Sequence, residues 1–598
     1  MTKFKYFKTI LLSAVLCSAG VSFTSCEDDD TVQPGSGIAA AQWQAVNDAE
    51  INGQTLIYEF EAPASWTASS NKSWCKVLTP SGFAGLSSLR IKVEPNDGKL
   101  GRSAEVSVQI AGYAQPCVLI VRQGDGVLEK GEGRFRDVNA WTYDIMSQYY
   151  LWNEGIPNII LDHSLDYDRF FAQILDGVAE NNDANHDDGQ WIDGQRVGYY
   201  SNIQSNAPLS RSAGETYNNA GLAVMPTILG ANDNDPCGFA VMFVTPGTAA
   251  DQAGVRRGDF IMKVNGIAVT QNNYMQLGNY LLSGGVTADL NSVTFNNGVA
   301  TITNRVPSVT IGRSSYVDPA IYKASVITAA NGKKIGYLLY MNFHMDYDAE
   351  LIEKFNQFKA EGVDELVIDL RYNNGGHVLS STVLGTLVAG QSHRGQTYLH
   401  TTYNSARAAA GEEGFYTIGE AANPEIEGGY DYIAQALNSS LNLDHVYVIG
   451  TQNTASASEL LINGLRGLDI DVRLIGTRTQ GKNCGMEGWQ KRAGSYSFIL
   501  YPITFYCENA KGFRNYSEGF MPDFEYDDTN IYPGDFGTND DSLSEIALIW
   551  AATGSKPSFN SAMGSRGATG LHLLKPTKEM KSVFTRNMGG SRTVVKDI

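Results

Sequence analysis

The chain has 598 residues, which is enough for roughly three or four domains. Its hydrophobic content of 43% and charged content of 18% are typical of globular domains and exclude a largely disordered protein. A net charge of −19 argues against nucleic acid or an anionic membrane surface as the main partner. The 7 cysteines form no C-x-x-C pair, so neither a disulfide scaffold nor a structural zinc site is expected.

Residues 1–25 have the pattern of a lipoprotein signal peptide. Lysines precede an apolar run over residues 10–23, which is too short to span a bilayer. The run ends in Phe-Thr-Ser-Cys26, which resembles a bacterial lipobox and implies lipidation of Cys26. The acidic residues that follow resemble the surface-export signal of lipoproteins in Bacteroidetes-like bacteria. We therefore expect a cell-envelope protein anchored to the outer membrane, with surface exposure; an ordinary cleaved signal peptide is the alternative.

Residues 26–37 are a polar tether, and residues 38–124 predict an all-β domain. Runs of alternating polarity, separated by turn residues, indicate its strands: Leu56–Phe60, Leu89–Val93, Ala104–Ile110 and Val118–Val121. Ser73-Trp-Cys75, the later Gly-Arg-Ser-Ala-Glu-Val and a final Val-Arg-Gln resemble the BACON domain, an Ig-like β-sandwich. That resemblance implies either glycan binding or a spacer role. Trp66 and Trp74 could stack on sugars, but core positions are favoured for both.

Residues 135–210 predict a helical segment. Trp141, Ile145 and Tyr149 recur at helical spacing, as do Phe170 and Ile174. The run from Tyr149 to Trp152 resembles the helical N-terminal part of the C-terminal-processing serine peptidases, a family that later motifs also indicate.

Residues 215–315 predict a PDZ domain. Gly-Leu-Ala-Val, Phe239–Val244, Pro246–Gly254 and Arg257–Gly266 follow in the order that bacterial proteases carry them, so the stretch resembles that domain. The resemblance implies that a peptide adds as a strand and that backbone N–H groups hold its terminal carboxylate. The residues assigned to this loop are Gly221, Leu222, Ala223 and Val224. A spacer or lid without carboxylate preference is the alternative.

Residues 320–553 alternate between strands and helices, which predicts βαβ units with a parallel sheet. The strands are Lys334–Tyr340, Leu366–Leu370, Val446–Ile449 and Val472–Ile475. An amphipathic helix is predicted from Asp348 to Gly362, and further elements over 497–507 and 543–552. The chain is thus expected to be a multidomain α/β protein: an Ig-like sandwich, a small helical segment, a PDZ domain and a βαβ-type core.

A serine follows the Val446–Ile449 strand and a tight turn, at the start of a helix, where free N–H groups and the helix dipole can hold an oxyanion. The run Thr454-Ala-Ser-Ala-Ser-Glu459, with Gly481-Lys482 downstream, resembles the C-terminal-processing (tail-specific) serine peptidases. The family implies a ClpP/crotonase-like fold and a Ser–Lys dyad, with Ser456 as nucleophile and Lys482 as base. Its D-L-R-x-N-x-G-G motif, here at 369–376, implies an oxyanion hole from the N–H groups of Gly376 and Ala457.

One position departs from the family. A Gln often lies four residues after the Lys and orients its amine, but Met486 stands there. Glu487, another side chain, or no group at all takes that role. Within the enzyme class, Ser458 is a second candidate nucleophile. A His377-based triad is disfavoured because the chain has no G-x-S-x-G elbow.

The sequence therefore predicts a serine endopeptidase that cleaves unfolded or C-terminally exposed proteins in the cell envelope, without metal or organic cofactor. The alternative is a catalytically weak or inactive lipoprotein that binds glycan or protein partners through the BACON and PDZ modules. Cys484 and Cys507 are expected to lie close together, and a disulfide between them is a hypothesis. Residues 554–598 form a basic tail whose role the sequence does not indicate.

Overall fold

The computed structural model describes most of the chain from residue 46 to residue 558 and two short strands beyond it. The described residues are 46–49, 52–96, 102–112, 116–123, 135–159, 161–163, 165–180, 189–192, 195–205, 216–229, 235–296, 299–420, 430–493, 496–528, 532–558, 571–573 and 595–597. The predicted signal peptide, tether and lipidation site Cys26 lie outside them, as does most of the predicted tail. Among the helices of the described residues, none has the length and apolar character needed to cross a membrane.

An N-terminal sandwich of two sheets comes first. Its strands are β1 (Val46–Ala49), β2 (Gln54–Ala62), β3 (Trp66–Ser70), β4 (Cys75–Val77), β5 (Ser81–Gly82), β6 (Gly85–Val93), β7 (Arg102–Ile110) and β8 (Cys117–Gln123). One sheet has the order β1-β8-β7-β3-β5 and the other β2-β6-β4. Trp66 lies between them, 3% exposed, and its indole N–H donates to Ser87 Oγ at 2.8 Å. The core position expected for Trp66 is confirmed, while Trp74 is half-buried at the core's edge.

A helical segment follows. Its elements are α1 (Arg136–Tyr149), a 3₁₀ turn (Asn153–Asn158), α2 (Tyr167–Glu180), β9 (Gln190–Ile192), β10 (Gln195–Gly198) and β11 (Asn202–Ser205). The buried faces of α1 and α2 pack on residues of 484–503 in one apolar cluster. After Glu180 the described residues of this segment form short strands rather than helices. The last of them, β11, pairs antiparallel with residues 498–501 and forms the edge of that sheet.

The next unit, residues 216–317, is built around one large sheet. Its elements are β12 (Thr216–Asn219), β13 (Leu222–Leu229), β14 (Cys237–Val244), α3 (Ala249–Gln252), β15 (Asp259–Ile261), β16 (Lys263–Val264), β17 (Ile267–Ala268), α4 (Tyr274–Ser283), β18 (Val286–Asn296), β19 (Val299–Ile311) and β20 (Ser314–Val317). Strand β13 pairs with β14 on one side. On its other side it pairs with Leu571–Leu573, a short strand within the predicted tail.

Most of the remaining elements form the core that carries the candidate site, and two short strands lie in the tail. They are β21 (Ile321–Thr328), β22 (Lys334–Tyr340), α5 (Asp348–Glu361), β23 (Glu365–Asp369), α6 (Val378–Ala389), β24 (Thr397–Tyr403), α7 (Ser405–Ala409), β25 (Glu413–Thr417), α8 (Tyr432–Ser439), β26 (His445–Gly450), α9 (Ala457–Gly467), β27 (Asp471–Gly476), β28 (Cys484–Met486), β29 (Gly488–Ala493), β30 (Tyr496–Tyr501), β31 (Ile503–Asn509), β32 (Phe524–Glu525) and α10 (Ser542–Thr553), then β33 (Leu571–Leu573) and β34 (Val595–Asp597) in the tail.

The central sheet has the order β21-β22-β23-β26-β27-β32, and every pair from β22 to β32 is parallel. The four strands predicted from sequence are therefore confirmed, each within a residue or so of its expected ends. The predicted helix at Asp348 is also confirmed, and Gly362 closes it in the left-handed conformation at φ 71°. Helices cover both faces, so the sheet is buried and its strands are almost continuously apolar.

The single strand expected over 497–507 is in fact two, β30 and β31. Pro502 separates them, since proline has no N–H to donate to a ladder. Strand β31 pairs antiparallel with β28, with Tyr506 opposite Cys484. Successive side chains of a strand point to opposite faces, so Cys507 faces away from Cys484. The hypothesis of a disulfide between these cysteines is therefore wrong, since neither of them forms a disulfide.

Candidate active site

Ser456 lies at the junction of β26 and α9, where the chain makes a strained turn. Its φ of 55° and ψ of −118° are rare for a residue with a side chain and cost on the order of 1–3 kcal/mol. The turn is held by Asn373, whose carbonyl accepts the Ala455 N–H at 3.1 Å. Ser456 is 8% exposed and directly precedes the first residue of α9, which is where the sequence places the nucleophile.

Ser458, the second candidate nucleophile, has a different environment. It is fully buried, and its Oγ donates to the Asn373 carbonyl at 2.9 Å. That hydrogen bond ties α9 to the loop after β23. The geometry favours a supporting role for Ser458 and leaves Ser456, at the strained turn, as the candidate nucleophile.

The glycine pair after β23 packs directly against the serine turn. Gly375 has φ +107°, and a Cβ placed there would lie 2.7 Å from Ser456 Cβ and 2.8 Å from Ala457 N. Gly376 forms a bridge to Phe343, and a Cβ there would collide with the Phe343 carbonyl. Only glycine at both positions allows this approach of two backbones.

Two backbone N–H groups of this region are available to a ligand. Among the hydrogen bonds of the described residues, neither the Gly376 N–H nor the Ala457 N–H donates one. Ala457 is the first residue of α9, so its N–H adds to the positive end of the helix dipole. The pair predicted as an oxyanion hole is therefore free to donate to a carbonyl oxygen.

Arg371 fixes the loop between β23 and the glycines. It is fully buried and donates to Asp369 at 2.7 Å and to Asp541 at 2.6 Å. Arg257 of the 216–317 unit bonds the same Asp541 at 3.2 Å. The two guanidinium groups hold the pKa of Asp541 well below its usual range, against the opposite effect of burial. This network joins the loop to α10 and to the neighbouring unit.

The loop that carries Lys482 is tied to the serine turn by a buried carboxylate, Glu459, which the sequence indicated only as the last residue of the Thr454–Glu459 run. Oε2 of Glu459 accepts the Ser456 N–H at 3.1 Å and the Lys482 N–H at 2.8 Å. Its Oε1 accepts the Gly481 N–H at 2.7 Å and the Thr479 hydroxyl at 2.6 Å. One carboxylate thus binds the backbones of both members of the proposed dyad. The Ser-x-x-Glu spacing of a capping box is the sequence signal for it.

Glu459 is fully buried, which disfavours its charged form. Burial raises the pKa of Glu459 to about 7, although the four donors favour its charged form. A carboxylate in this position compensates four buried donors that would otherwise lack an acceptor.

The side chain of Lys482 is covered by a residue that the sequence did not indicate. Lys482 is 7% exposed, and its Nζ lies 5.4 Å from the ring centroid of Tyr200. Met486 is buried in the apolar cluster of the helical segment. Glu487 forms an ion pair with Arg407 at 2.7 Å. The structure thus gives Glu487 a partner of its own, and its predicted orienting role stays a prediction.

His377 caps α6 directly after the glycine pair, and its ring lies 5.8 Å from that of His344. Burial, with a smaller contribution from His344, lowers the pKa of His377 to about 4. The imidazole is therefore neutral at pH 7. Among the contacts of the described residues, none pairs His377 with Ser456, so this arrangement does not support the histidine-based rival.

The predicted peptide-binding loop lies in the 216–317 unit. The Gly221 N–H donates to Asn219 Oδ1 at 2.8 Å, and φ of Gly221 is +77°. Leu222, Ala223 and Val224 are 1%, 1% and 3% exposed. Leu222 and Val224 pack in the cluster that includes the buried face of α4. The structure therefore places these two side chains in a core and engages the first N–H of the loop internally.

Comparison with known proteins identifies the core. The model of peptidase family S41 matches residues 334–526, which include Ser456, Lys482 and the glycine pair. The chain carries an S41 peptidase domain. The model of BACON, a family of N-terminal binding domains, matches residues 64–123 within the sandwich. The protein is thus a multidomain α/β chain with a β-rich BACON domain ahead of its S41 domain.

Named relatives agree with this assignment. A carboxyl-terminal-processing protease of Picosynechococcus is 26% identical over 244 residues, covering 40% of this chain and 50% of the relative. A chloroplastic C-terminal processing peptidase of Tetradesmus obliquus is 26% identical over 281 residues, covering 46% and 53%. The chain spans about half the length of these curated relatives. A solved Bacteroides fragilis structure assigned as an S41 protease is 25% identical with a TM-score of 0.56, covering 69% of this chain and 97% of that one.

Proposed function

We propose that this protein is a serine endopeptidase of the C-terminal-processing type, with Ser456 as nucleophile and Lys482 as general base. The observation that carries the proposal is the Glu459 carboxylate. It accepts hydrogen bonds from the backbones of both residues, which are 26 positions apart in the chain. A serine on a strained turn and a buried lysine beside it are the two parts that dyad chemistry requires.

In this mechanism, a neutral Lys482 takes the proton of the Ser456 hydroxyl as Oγ attacks the scissile carbonyl. This step requires a neutral amine, and burial is the general means by which a protein disfavours an ammonium. The carbonyl oxygen becomes an oxyanion and accepts from the N–H groups of Gly376 and Ala457. Lys482 then returns the proton to the leaving amine, and the acyl group stays on Ser456. A water activated by Lys482 releases the acid and restores the serine.

The substrates we propose are unfolded or C-terminally exposed proteins. The support is the likeness to proteins named for C-terminal processing, together with the PDZ-like motifs of residues 215–315. We assign the 216–317 unit to a PDZ domain and the S41 core to a ClpP/crotonase-like fold on the same grounds. Strand addition along the part of β13 before Thr227, which does not pair with Leu571–Leu573, would present a substrate's terminus to the unit.

We also propose that the protein works in the cell envelope, held to the outer membrane through a lipid on Cys26 and exposed at the surface. The support is the lysine-led apolar run and the lipobox-like Phe-Thr-Ser-Cys. Of the two sugar-stacking candidates in the BACON domain, Trp66 is buried in the core, so glycan binding there would depend on Trp74.

The decisive test is labelling with a fluorophosphonate probe, read by mass spectrometry, together with hydrolysis of an unfolded protein. We expect label on the Ser456 peptide, and a loss of about 10⁴-fold or more in kcat/KM for Ser456→Ala and Lys482→Ala. Ser69→Ala and Lys76→Ala, both on the exposed surface of the sandwich, are matched controls.

A folded wild type that neither takes the label nor hydrolyses protein would favour the inactive binding lipoprotein. Full turnover in Ser456→Ala would move the nucleophile to Ser458 or end the peptidase proposal.

A further inference from the structure

The base of the proposed dyad faces the helical segment. Cys484 and Met486, two and four residues after Lys482, both pack into the apolar cluster formed with α1 and α2. From the same side, Tyr200 brings its ring to 5.4 Å from the Lys482 Nζ. The environment of the base is therefore completed by a residue 282 positions earlier in the chain.

Tyr200 is held against the strand next to β28. Its neighbour Ser201 is 4% exposed, and Ser201 Oγ accepts the Ile503 N–H at 2.9 Å. Ile503 is the residue opposite Met486 in the β28–β31 pair. Strand β11, which follows directly, pairs with β30 from Asn202 to Ser205. These bonds fix the backbone at Tyr200 relative to the strand that follows Lys482.

We propose that Tyr200 is a positioning residue for Lys482, which keeps the amine in place and stabilises the ammonium that forms when it takes the serine proton. The inference rests on the Ser–Lys mechanism proposed above. Position 486, where a Gln amide could orient the amine, holds a buried thioether that is only a weak acceptor. The face of an aromatic ring attracts a cation, and more strongly in a site from which water is excluded.

The direction of the effect follows from when the charge appears. Lys482 is neutral before attack and positive once it holds the Ser456 proton. An attraction to the cation therefore acts mainly in the transition state and raises kcat rather than substrate affinity. The same attraction makes Lys482 a stronger base, so its removal should allow the amine to lose its proton at lower pH.

The test compares Tyr200→Leu, Tyr200→Phe and wild type in kcat, KM and the pH profile of kcat/KM. We expect Tyr200→Leu to lower kcat about threefold to thirtyfold with little change in KM. Its acid limb should also move to lower pH. Tyr200→Phe keeps the ring and should stay within about twofold of wild type. Tyr199→Leu is the matched control, since the Tyr199 hydroxyl donates to Asp176, away from the dyad.

A readout independent of turnover separates this inference from the proposed function. The Lys482 amine is labelled with acetic anhydride across pH in each variant, and the peptide that carries it is quantified. A labelling midpoint at lower pH in Tyr200→Leu, but not in Tyr200→Phe, supports the proposal even if no hydrolysis is detected. Unchanged midpoints and kcat in a folded Tyr200→Leu would overturn it, as would an equal loss in Tyr200→Phe. If the wild-type protein shows no hydrolysis that depends on Ser456, that result counts against the peptidase proposal instead.

Discussion

The S41 domain and the 216–317 unit each present a glycine loop predicted to bind an oxygen anion, and the two loops are prepared differently. At the candidate active site, the N–H groups of Gly376 and Ala457 donate no hydrogen bond among the described residues. In the other loop, the Gly221 N–H already donates to Asn219 Oδ1 at 2.8 Å. The first pair can receive an oxygen without rearrangement, whereas the second loop must exchange a bond that it already has.

This difference concerns free energy as well as geometry. Donors that are fixed before the reaction stabilise a developing charge without a reorganisation cost. A donor that gives up one acceptor for another gains only the difference between two hydrogen bonds, which is small. We therefore expect large effects from changes that disturb the S41 loop and modest effects from changes at Gly221.

The largest effect is expected from Glu459, since its carboxylate holds the serine turn and the lysine loop together. Glu459→Ala should leave buried N–H groups without an acceptor and lower the free energy of unfolding by about 3–5 kcal/mol. Glu459→Gln keeps the shape but presents an amide to some of these donors. We expect it to fold and to lose at least about tenfold in kcat, because small displacements of catalytic groups are costly. Urea unfolding and single-turnover kinetics measure the two quantities.

Glu487→Gln is the control for that experiment. Glu487 is half-buried and paired with Arg407, so its change removes a carboxylate near the base without releasing the dyad loops. We expect kcat within about threefold of wild type and a stability loss near 1 kcal/mol. A kcat loss as large as that of Glu459→Gln would assign the orienting role to Glu487 after all.

The second prediction concerns Gly375→Ala, which tests how tightly the glycine loop packs against the serine turn. The added methyl meets Ser456 Cβ at 2.7 Å and also suffers the φ of +107°. Gly411→Ala is matched to it, with φ +81° and nothing within 4 Å of the new Cβ. Both variants carry the cost of a left-handed residue, about 1–2 kcal/mol. We expect Gly375→Ala to lose more stability than Gly411→Ala and also most activity; equal stability and full activity would mean that the loops are not tightly packed.

The third prediction concerns α5 and the pH dependence of the free energy of unfolding. Asp348 begins α5 and accepts from Ser380 Oγ of α6 at 2.7 Å and from the Tyr430 hydroxyl. Burial raises the pKa of Asp348 to about 7. A raised folded-state pKa contributes stability that is present below pH ~4 and is lost as pH rises through about 7. Asp348→Asn cannot titrate, so wild type should lose about 1 kcal/mol or more relative to it between pH 4 and pH 8.

Urea midpoints at several pH values test this point. The exposed Asp346→Asn, whose side chain is 51% exposed, controls for the exchange of a carboxylate for an amide. Parallel pH curves for Asp348→Asn and wild type would show that the buried carboxyl does not titrate in this window.

The features that could be predicted from the sequence are those fixed by contacts between residues close together in the chain. The strand at Val446–Ile449, the helix start at Ser456 and the close glycine approach all have signals within a few residues, and the strand and helix were predicted correctly. Glu459 also had a local signal in the capping-box spacing, although its hold on Lys482 depends on a loop more than 20 residues away. Tyr200 had none, because no pattern near residue 200 indicates which distant side chain its ring will cover. Whether the Cys507 side chain faces Cys484 depends on strand register, which cannot be predicted from the sequence alone.

The smallest effect on the rate of processing is expected at the Gly221 loop, and measuring it tests the difference between the two loops. We expect an unfolded peptide with a free apolar C-terminus to be processed several-fold faster than its amidated twin, because backbone N–H groups favour a carboxylate over a neutral amide. Asn219 Oδ1 competes for the Gly221 N–H and also accepts from the Tyr316 hydroxyl at 2.9 Å.

Asn219→Ala removes this competitor and should widen the gap between the two peptides, mainly through KM. Deleting residues 215–315 should erase the gap. Because the deletion also removes Arg257 from Asp541, fluorophosphonate labelling of Ser456 is measured in the same variant to check that the active-site loop is kept. Equal rates for both peptides in wild type would refute selection by the C-terminus. A gap that Asn219→Ala leaves unchanged would show that the carboxylate is held by other N–H groups than that of Gly221. Either result would leave the chemistry proposed for Ser456 and Lys482 intact. The N–H groups of Gly376 and Ala457 are available whether or not a C-terminus binds at the Gly221 loop.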